Sequence, residues 1–313
     1  DTKDTKVVNE SSSLNFRRQD RHMGRPQGQC KFSMKRRDRL LSEWRSVIRL
    51  LSCLAIQLPV ANGLAAADEV SALRMEAERR VGISVSIPST RQFPDYQRPG
   101  VSFEPLRVVE SRGGDAQAAA LYLRAYIEEF SKYPRSFLRQ VNLEWVLFVK
   151  GLRVEGEPRA ATFLRSYAPT TMAPRGGMVY DVQQGATNHA YVRRALHHEF
   201  FHFIDYGVQA GGVEDVDWLA MNPPGFRYTG EMAHFSRRLD HPAPGIITSY
   251  SAKSSWEDRA ELFAALMDED TYPRLREIAA ADPVVRRKIR YLVRFLERID
   301  PAMGGGYFPN RLG

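Results

Sequence analysis

The sequence predicts an α+β fold, with a small mixed sheet upstream and a helix-rich C-terminal part. Two runs are β-prone: Val141 to Val149, which continues toward Val154, and Gly176 to Val182. Downstream, Ser255 to Met267 and Pro283 to Arg298 have the apolar spacing of amphipathic helices. Strands that precede helices along the chain are typical of α+β domains.

Two upstream segments also predict helices, Ala66 to Val81 and Asp115 to Phe130, because their apolar residues recur at helical spacing. Asp282 is a natural N-cap for the last helix, and Pro283 suits its first position. The segments rich in Pro and Gly are predicted to be loops, and they are residues 94–105, 168–177 and 222–230.

The most informative pattern in the chain is His198-Glu199-Phe200-Phe201-His202. On an α-helix, His198 and His202 project from the same face because they are four residues apart. Two parallel imidazoles suit Zn²⁺, and Glu199 can reach a water held by that metal. The alternative interpretation is a helix whose two histidines are solvated or packed.

The residues around this pattern favour a helix. Asn188 is a candidate N-cap, and Gly207 is a candidate stop. An apolar stripe beside the histidine face consists of Leu196, Phe200, Phe203 and Ile204. His197 lies about 100° around the helix from His198, so we interpret it as a structural residue or as a partner of a metal ligand.

A catalytic zinc needs a third protein ligand while one position stays open for water. Glu257 and Glu261 share one face of the predicted helix from Ser255 to Met267, although this spacing is also typical of a solvated helix face. Proximity in the sequence does not choose among the candidates, which are Asp205, Glu214, Asp215, Glu231, His234, Asp240, His241, Glu257, Asp258 and Glu261.

The stretch from Ser249 to Glu261 resembles the second active-site motif of zinc peptidases of the anthrax-toxin lethal-factor type. It is also similar to the motif of many secreted bacterial zinc metallopeptidases. In that family, a Ser-Tyr pair is followed, seven residues after the Tyr, by the glutamate that completes the zinc site, and Ala-Glu closes the motif. Here Tyr250, Glu257 and Ala260-Glu261 match this pattern.

The first motif of that family, His-Glu-Phe-x-His-x-x-Asp, matches His198 through Asp205, and the resemblance covers chiefly residues 178–270. The ligands that it implies for one Zn²⁺ per chain are His198, His202 and Glu257. It further implies that Glu199 is the general base for a metal-activated water. Tyr250 is expected to donate its hydroxyl to the oxyanion or to the leaving group.

Two more acidic residues are candidates for orienting the histidine ligands. Asp205 lies three residues after His202 and is predicted to accept the free ring N–H of His202. Glu261 is predicted to do the same for His198. Both roles are hypotheses that the structure has to test.

The chain departs from the family pattern at two places. Phe201 stands where lethal factor has a small residue, which is expected to alter the packing of the active-site helix. Asp258-Arg259 stands where the family has an apolar pair, so we expect the second helix to expose that edge. Neither departure changes an implied ligand.

The resemblance implies a single zincin-like metallopeptidase domain whose partner is a peptide or protein substrate. Such enzymes commonly pair an extended substrate with an edge strand, and Gly176 to Val182 is the candidate, with an ordinary internal strand as the alternative. The loop from Asn222 to Tyr228 lies between the two motifs, where a substrate-facing loop is expected; the alternative is a plain surface loop.

Residues 34–66 look like a secretory signal peptide, with a basic start, an apolar stretch from Leu50 to Ala61 and small residues for cleavage after it. Residues 1–33 are predicted to be an upstream extension without a fold. Residues 67–313 are predicted to be the zinc metallopeptidase domain, secreted or periplasmic.

The basic charge of the chain is concentrated before residue 67. Residues 1–66 contain 13 of the 45 Lys and Arg residues but only 6 of the 37 Asp and Glu residues. Residues 67–313 therefore contain 32 basic and 31 acidic residues. The domain is therefore near neutral, and we expect no nucleic-acid partner.

Both cysteines, Cys30 and Cys53, precede the domain, so no disulfide is expected in it. No apolar run reaches the length of a membrane span, so no stable membrane insertion is expected after signal cleavage.

Two other classes of function stay open from the sequence. One is a secreted interaction module that binds zinc on a peptidase fold but no longer cleaves. The other is a zinc amidase that acts on a non-peptide amide, such as a cell-wall crosslink. Zinc binding without turnover would identify the first class, and hydrolysis of wall fragments but not of peptides would identify the second.

Overall fold

A mixed sheet is followed along the chain by a group of packed helices. The computed structural model describes residues 65–88, 100–108, 114–166, 175–185, 188–208, 214–230, 236–304 and 306–308. All of these belong to one compact unit, residues 55–313. The predicted extension and nearly all of the predicted signal peptide, residues 1–64, lie outside the described residues.

The sheet is organised around one long strand, β3. Within the described residues its strands are β1 (Ser84–Ser86), β2 (Val101–Glu104), β3 (Leu143–Val154), β4 (Glu157–Pro158), β5 (Ala161–Ser166) and β6 (Arg175–Asp181). The order is β1-β3-β6-β5, and β3 is parallel to both β1 and β6. β5 is antiparallel to β6, while β2 and β4 pair antiparallel with the C-terminal half of β3.

The expectation that Gly176 to Val182 forms a substrate-pairing edge strand is wrong. This run is β6, which pairs with β3 on one side and with β5 on the other, so its backbone groups are used within the sheet. Gly177 is required there because a Cβ atom at this position would lie 2.3 Å from the carbonyl oxygen of Trp145. β6 is therefore an internal strand, as the alternative interpretation had it.

The helices agree with the sequence periodicity. They are α1 (residues 65–81), α2 (Asp115–Phe130), α3 (Arg135–Gln140), α4 (His189–Val208), α5 (Val216–Ala220), α6 (Ser255–Met267), α7 (Tyr272–Ala281) and α8 (Pro283–Ile299). Asn188 caps α4, because its Oδ1 accepts the Tyr191 N–H at 3.0 Å. Gly207 does not stop α4 but lies within its last turn. Asp282 caps α8 by accepting the N–H groups of Val284 and Val285.

The main core lies between the helices and one face of the sheet. Along β3, Val146 and Phe148 point into this core, whereas Leu147 and Val149 belong to a smaller apolar cluster on the opposite face. This alternation is the period of two that a strand requires. The predicted apolar stripe of α4 is fully buried. The predicted α+β arrangement is confirmed, since α4 lies between an upstream mixed sheet and a helix-rich C-terminal part.

The expectation that α6 exposes the edge at Asp258-Arg259 is wrong. Both side chains are at most 2% exposed. Lys288 Nζ lies 2.6 Å from Asp258 Oδ2, and the Arg259 guanidinium lies between Asp205 at 2.9 Å and Asp215 at 3.1 Å. Charged side chains are tolerated here because each has an opposite charge within contact distance.

Phe201, the other departure from the family pattern, is fully buried on α4. Its ring centroid lies 5.0 Å from that of Phe263 on α6 and 6.2 Å from that of Phe295 on α8. The large ring thus joins α4 to both of these helices, at separations typical of favourable aromatic pairs.

Replacing Lys288 with Met is expected to lower the free energy of unfolding by about 3–5 kcal/mol, because it leaves the Asp258 carboxylate buried without its cation. The double variant Lys288→Met, Asp258→Asn should be less destabilised than Lys288→Met alone, since no unpaired charge remains. Denaturant unfolding of the full chain measures both. The control is Arg290→Met, an exposed residue of the same helix, which should change stability by no more than about 0.5 kcal/mol. A Lys288→Met variant as stable as this control would contradict the account.

Candidate metal centre

Two helices bring the predicted ligands together. α4 carries His198 and His202 on one face, with side chains 1% and 19% exposed. α6 begins after Ser254, whose Oγ accepts the Glu257 N–H at 3.3 Å. This cap places Glu257 in the first turn of α6, where it faces both histidines.

Three donor atoms converge at this point. His198 Nε2 lies 3.1 Å from Glu257 Oε2, His202 Nε2 lies 3.2 Å from that oxygen, and the two ring nitrogens are 3.1 Å apart. Two imidazole nitrogens and one carboxylate oxygen are the donor set of a catalytic zinc. Zinc bonds of about 2.0–2.1 Å at tetrahedral angles separate ligand atoms by roughly 3.3 Å. The residues present therefore fit a zinc ion.

Within the described ranges, His198, His202 and Glu257 are the one group of three or more His, Cys, Asp or Glu side chains arranged to hold a metal. Other candidates from the sequence have different partners. His241 Nε2 lies 2.9 Å from Asp282 Oδ2, and Asp215 and Asp258 form the ion pairs with Arg259 and Lys288. Glu231 and His234 lie outside the described residues.

Glu261 contacts the far side of the first histidine. His198 Nδ1 lies 2.9 Å from Glu261 Oε1. A proton on Nδ1, facing this carboxylate, leaves Nε2 with its lone pair directed at the other two donor atoms. This placement agrees with the role predicted for Glu261.

The Glu261 carboxylate is fully buried and is surrounded by donors. Arg194 Nη2 lies 2.6 Å from Oε2, and the Thr248 hydroxyl donates to the same oxygen at 3.1 Å. Burial alone would raise the pKa of Glu261, but Arg194, the contact with His198 and Arg237 lower it to about 2. The carboxylate is therefore anionic throughout the neutral range.

Glu257 uses its second oxygen to hold Tyr250. The Tyr250 hydroxyl donates to Glu257 Oε1 at 2.9 Å, and Lys253 Nζ lies 3.4 Å from that oxygen. Burial would raise the pKa of Glu257, but contact with His198 and His202 holds it far below the usual range. Burial and the charge of Glu257 raise the pKa of the Tyr250 hydroxyl, which stays a donor at neutral pH.

Asp205 is fully buried on α4. Its Oδ2 lies 2.9 Å from Arg259 Nη2. Burial raises the pKa of Asp205 to about 6, although the charges of Arg259 and His202 oppose this shift. The structure thus pairs Asp205 with Arg259 of α6. Asp205 also lies close enough to His202 for the charge of that imidazole to lower its pKa. Its predicted acceptance of the His202 ring N–H stays a prediction.

Arg237 is a residue of the site that the sequence pattern did not identify. Its guanidinium carbon lies 4.5 Å from the centroid of the Tyr250 ring, and Nη1 lies 3.4 Å from Glu261 Oε1. Burial lowers the pKa of Arg237, but Glu261 and Glu199 raise it above its ordinary value. No motif marks Arg237, because it lies in the irregular segment 236–250, which precedes α6.

Glu199 is half-buried on α4, next to His198. Its charge contributes to the raised pKa of both Arg237 and Tyr250. It is the residue of α4 that directly follows the first histidine of the group.

His197 is structural. It is fully buried, with Nε2 2.6 Å from Glu129 Oε2 and Nδ1 2.6 Å from the Tyr133 hydroxyl. Burial lowers the pKa of His197. These contacts connect α4 to α2 and the turn after it, on a different side of α4 from the metal ligands.

Comparison with known proteins adds a distant likeness. No protein family matches the chain, and no curated protein matches it. One similar solved structure is described as a "putative zinc-binding metallo-peptidase from Bacteroides caccae"; it is 15% identical, with a TM-score of 0.44 over 78% of this chain and 92% of the other. In the described part of the chain, no helix is long and apolar enough to cross a membrane. The assignment of the metal centre rests on the geometry of His198, His202 and Glu257.

Zinc affinity is expected to fall as the pH falls, because protonated imidazole cannot bind the metal. Burial lowers the pKa of His198, but contact with Glu257 and Glu261 raises it overall above 6.5. The zinc affinity should therefore begin to fall above pH 6.5. Because zinc displaces one proton from His198, the affinity should fall by up to about tenfold for each unit of pH. Zinc titration against a competing chelator from pH 5.5 to 8 measures the profile.

Glu261→Gln removes one of the groups that raise the pKa of His198, so its decline should begin at lower pH than in the unmutated chain. Glu297→Gln removes an exposed carboxylate from α8 and should leave the profile unchanged. A flat affinity across this range would show that His198 is not a ligand.

Proposed function

We propose that the chain is a zinc-dependent peptidase of the lethal-factor-like type, with one Zn²⁺ held by His198, His202 and Glu257. The observation that supports this best is the convergence of three donor atoms within 3.2 Å of one another. Glu199, which follows His198 on α4, and Tyr250, which contacts Glu257, are the acid–base and hydrogen-bonding groups that amide hydrolysis requires. We also propose that the predicted signal peptide directs the domain out of the cytoplasm.

When bound, zinc supplies Lewis acidity, which lowers the pKa of water and polarises a carbonyl group. Glu199 accepts the proton of the attacking water through its carboxylate and passes it to the nitrogen of the departing amine. The C–N bond breaks as that nitrogen gains the proton. Glu199 returns to its anionic form at the end of the cycle.

Tyr250 donates its hydroxyl to the oxygen of the scissile carbonyl as negative charge develops there. Before substrate binds, this hydroxyl donates to Glu257 Oε1 at 2.9 Å. The Arg237 guanidinium above the Tyr250 ring restricts where the ring can lie. The Tyr250 hydroxyl then changes its acceptor from Glu257 to the carbonyl oxygen of the substrate, and this needs only a small movement of one side chain.

An extended substrate strand fits beside β5 better than beside β6. In the described residues, β5 pairs with β6 on one side, and the backbone groups of its other side are directed away from the sheet. Phe163 of β5 lies against α4, with ring centroids 6.3 Å from Phe203 and 5.1 Å from Tyr206. A peptide that adds to this strand would run alongside the helix that carries the metal ligands.

Glu199→Gln is expected to lower kcat for peptide cleavage by about 10²–10⁴-fold, because the amide cannot accept the proton. Zinc should still bind to this variant. Cleavage of a mixed peptide library by the zinc-loaded chain, analysed by mass spectrometry, gives the products. Zinc content is measured on the same samples. The control is Glu297→Gln, which changes the same residue type at an exposed position of α8.

Cuts made by the unmutated chain and by Glu297→Gln, but not by Glu199→Gln, would support the proposal. Full activity of Glu199→Gln would refute the assignment of the base. Stoichiometric zinc without any cut would instead point to a silent binding module or to a non-peptide amide, and hydrolysis of cell-wall fragments separates those two.

A further inference from the structure

A cavity of about 640 Å³ lies beside the N-terminal half of α4, close to the proposed metal centre. Its wall includes Tyr191, Arg194 and Ala195 of α4, Arg237 and Leu239 of the irregular segment, and Thr271 before α7. A cavity of this size holds a large side chain or a short peptide segment.

Two residues of the cavity wall connect it to the candidate site. Ala195 precedes Glu199 by four residues, so the two lie on the same face of α4, about 6 Å apart along the axis. Arg237 also connects the two regions, because it lines the cavity and stacks over the ring of Tyr250. An extended peptide advances about 3.3–3.6 Å per residue. The residue next to the scissile bond can therefore reach the cavity.

Glu261 is the shared counter-charge of two guanidinium groups, with Arg194 Nη2 at 2.6 Å and Arg237 Nη1 at 3.4 Å. The Arg237 side chain is 26% exposed, whereas that of Arg194 is 10% exposed. Since Arg194 is the closer partner of Glu261, Arg237 is the cation that can bind a further anion.

The acidic residues of the wall contact arginines other than Arg237. Asp240 lies 3.6 Å from Arg238, and Asp268 lies 3.4 Å from Arg193. Asp270 also contacts Arg193. The carboxylates are thus matched by cations other than Arg237.

We propose that this cavity receives the residue next to the scissile bond and that Arg237 binds a carboxylate of that residue. The inference rests on the proposed peptidase function and adds a substrate class to it. The carboxylate is either an acidic side chain, which makes the enzyme an endopeptidase that selects acidic residues, or a free C-terminus, which makes it a carboxypeptidase. Both present the planar anion that a guanidinium binds through charge-assisted hydrogen bonds.

The test uses labelled peptides that differ only in Glu or Gln at one position, or only in a free or amidated C-terminus. For the unmutated, zinc-loaded chain, kcat/KM is expected to be at least about tenfold higher for the carboxylate member of one of these pairs. The pair that shows the preference identifies the source of the carboxylate. Equal rates within both pairs would overturn the proposal.

Arg237→Gln should reduce the preference to about twofold or less, and Arg237→Lys should retain part of it. Arg290→Gln removes an exposed charge of α8 and should keep the full preference. The ratio between two peptides is measured within one variant, so a general loss of activity through Tyr250 does not change it. A full preference in Arg237→Gln would overturn the proposal.

A binding measurement separates this inference from the proposed function. The same peptides are titrated against the zinc-free chain by fluorescence anisotropy. Tighter binding of the carboxylate peptides, lost in Arg237→Gln, supports the cavity even if no peptide is cleaved, and in that case the peptidase assignment alone fails. Cleavage without any carboxylate preference in rate or binding supports the peptidase and overturns the role of Arg237.

Discussion

The buried negative charge of Glu261 is the interaction on which the candidate centre depends. A carboxylate without exposure is costly unless donors surround it, and here they come from three separate parts of the chain: α4 supplies Arg194 and His198, the irregular segment supplies Arg237, and the turn before Tyr250 supplies Thr248. Satisfying this one charge fixes α6 against α4 and brings the segment with Tyr250 over both. It also directs the lone pair of His198 toward the metal position, so one interaction sets both the register of the helices and the tautomer of a ligand.

The remaining faces of α6 are fixed by the same kind of interaction. Asp258 pairs with Lys288 of α8, and Arg259 pairs with Asp205 of α4 and Asp215 beside α5. Because these pairs lie on different sides of the helix from Glu257, rotation of α6 in either direction would break at least one of them. A ligand in the first turn of such a helix keeps its orientation without metal, which is the preorganisation that a catalytic centre requires.

Much of the fold and the pair His198 and His202 could be predicted from the sequence, because periodicity and a spacing of four residues are local properties. Glu257 was singled out among the carboxylates only by the resemblance of Ser249 to Glu261 to a known motif. Features that depend on distant partners could not. β6 is internal because β5 pairs with it, which the composition of β6 does not reveal. Asp258 is buried because Lys288 lies 30 positions further on, and Arg259 because Asp215 lies 44 positions before it. Arg237 belongs to no periodic segment, so its place over Tyr250 emerged only from the tertiary structure.

Three glutamates near one centre have different roles because their surroundings differ. Glu261 is fully buried between Arg194, His198 and Arg237, which lower its pKa to about 2. Glu257 directs one oxygen to the two histidines and the other to Tyr250, so both oxygens already have partners. Glu199 is half-buried and forms no ion pair with the described residues. Under the proposed function, Glu199 is the carboxylate left to act as general base, because Glu257 and Glu261 already contact other side chains of the site.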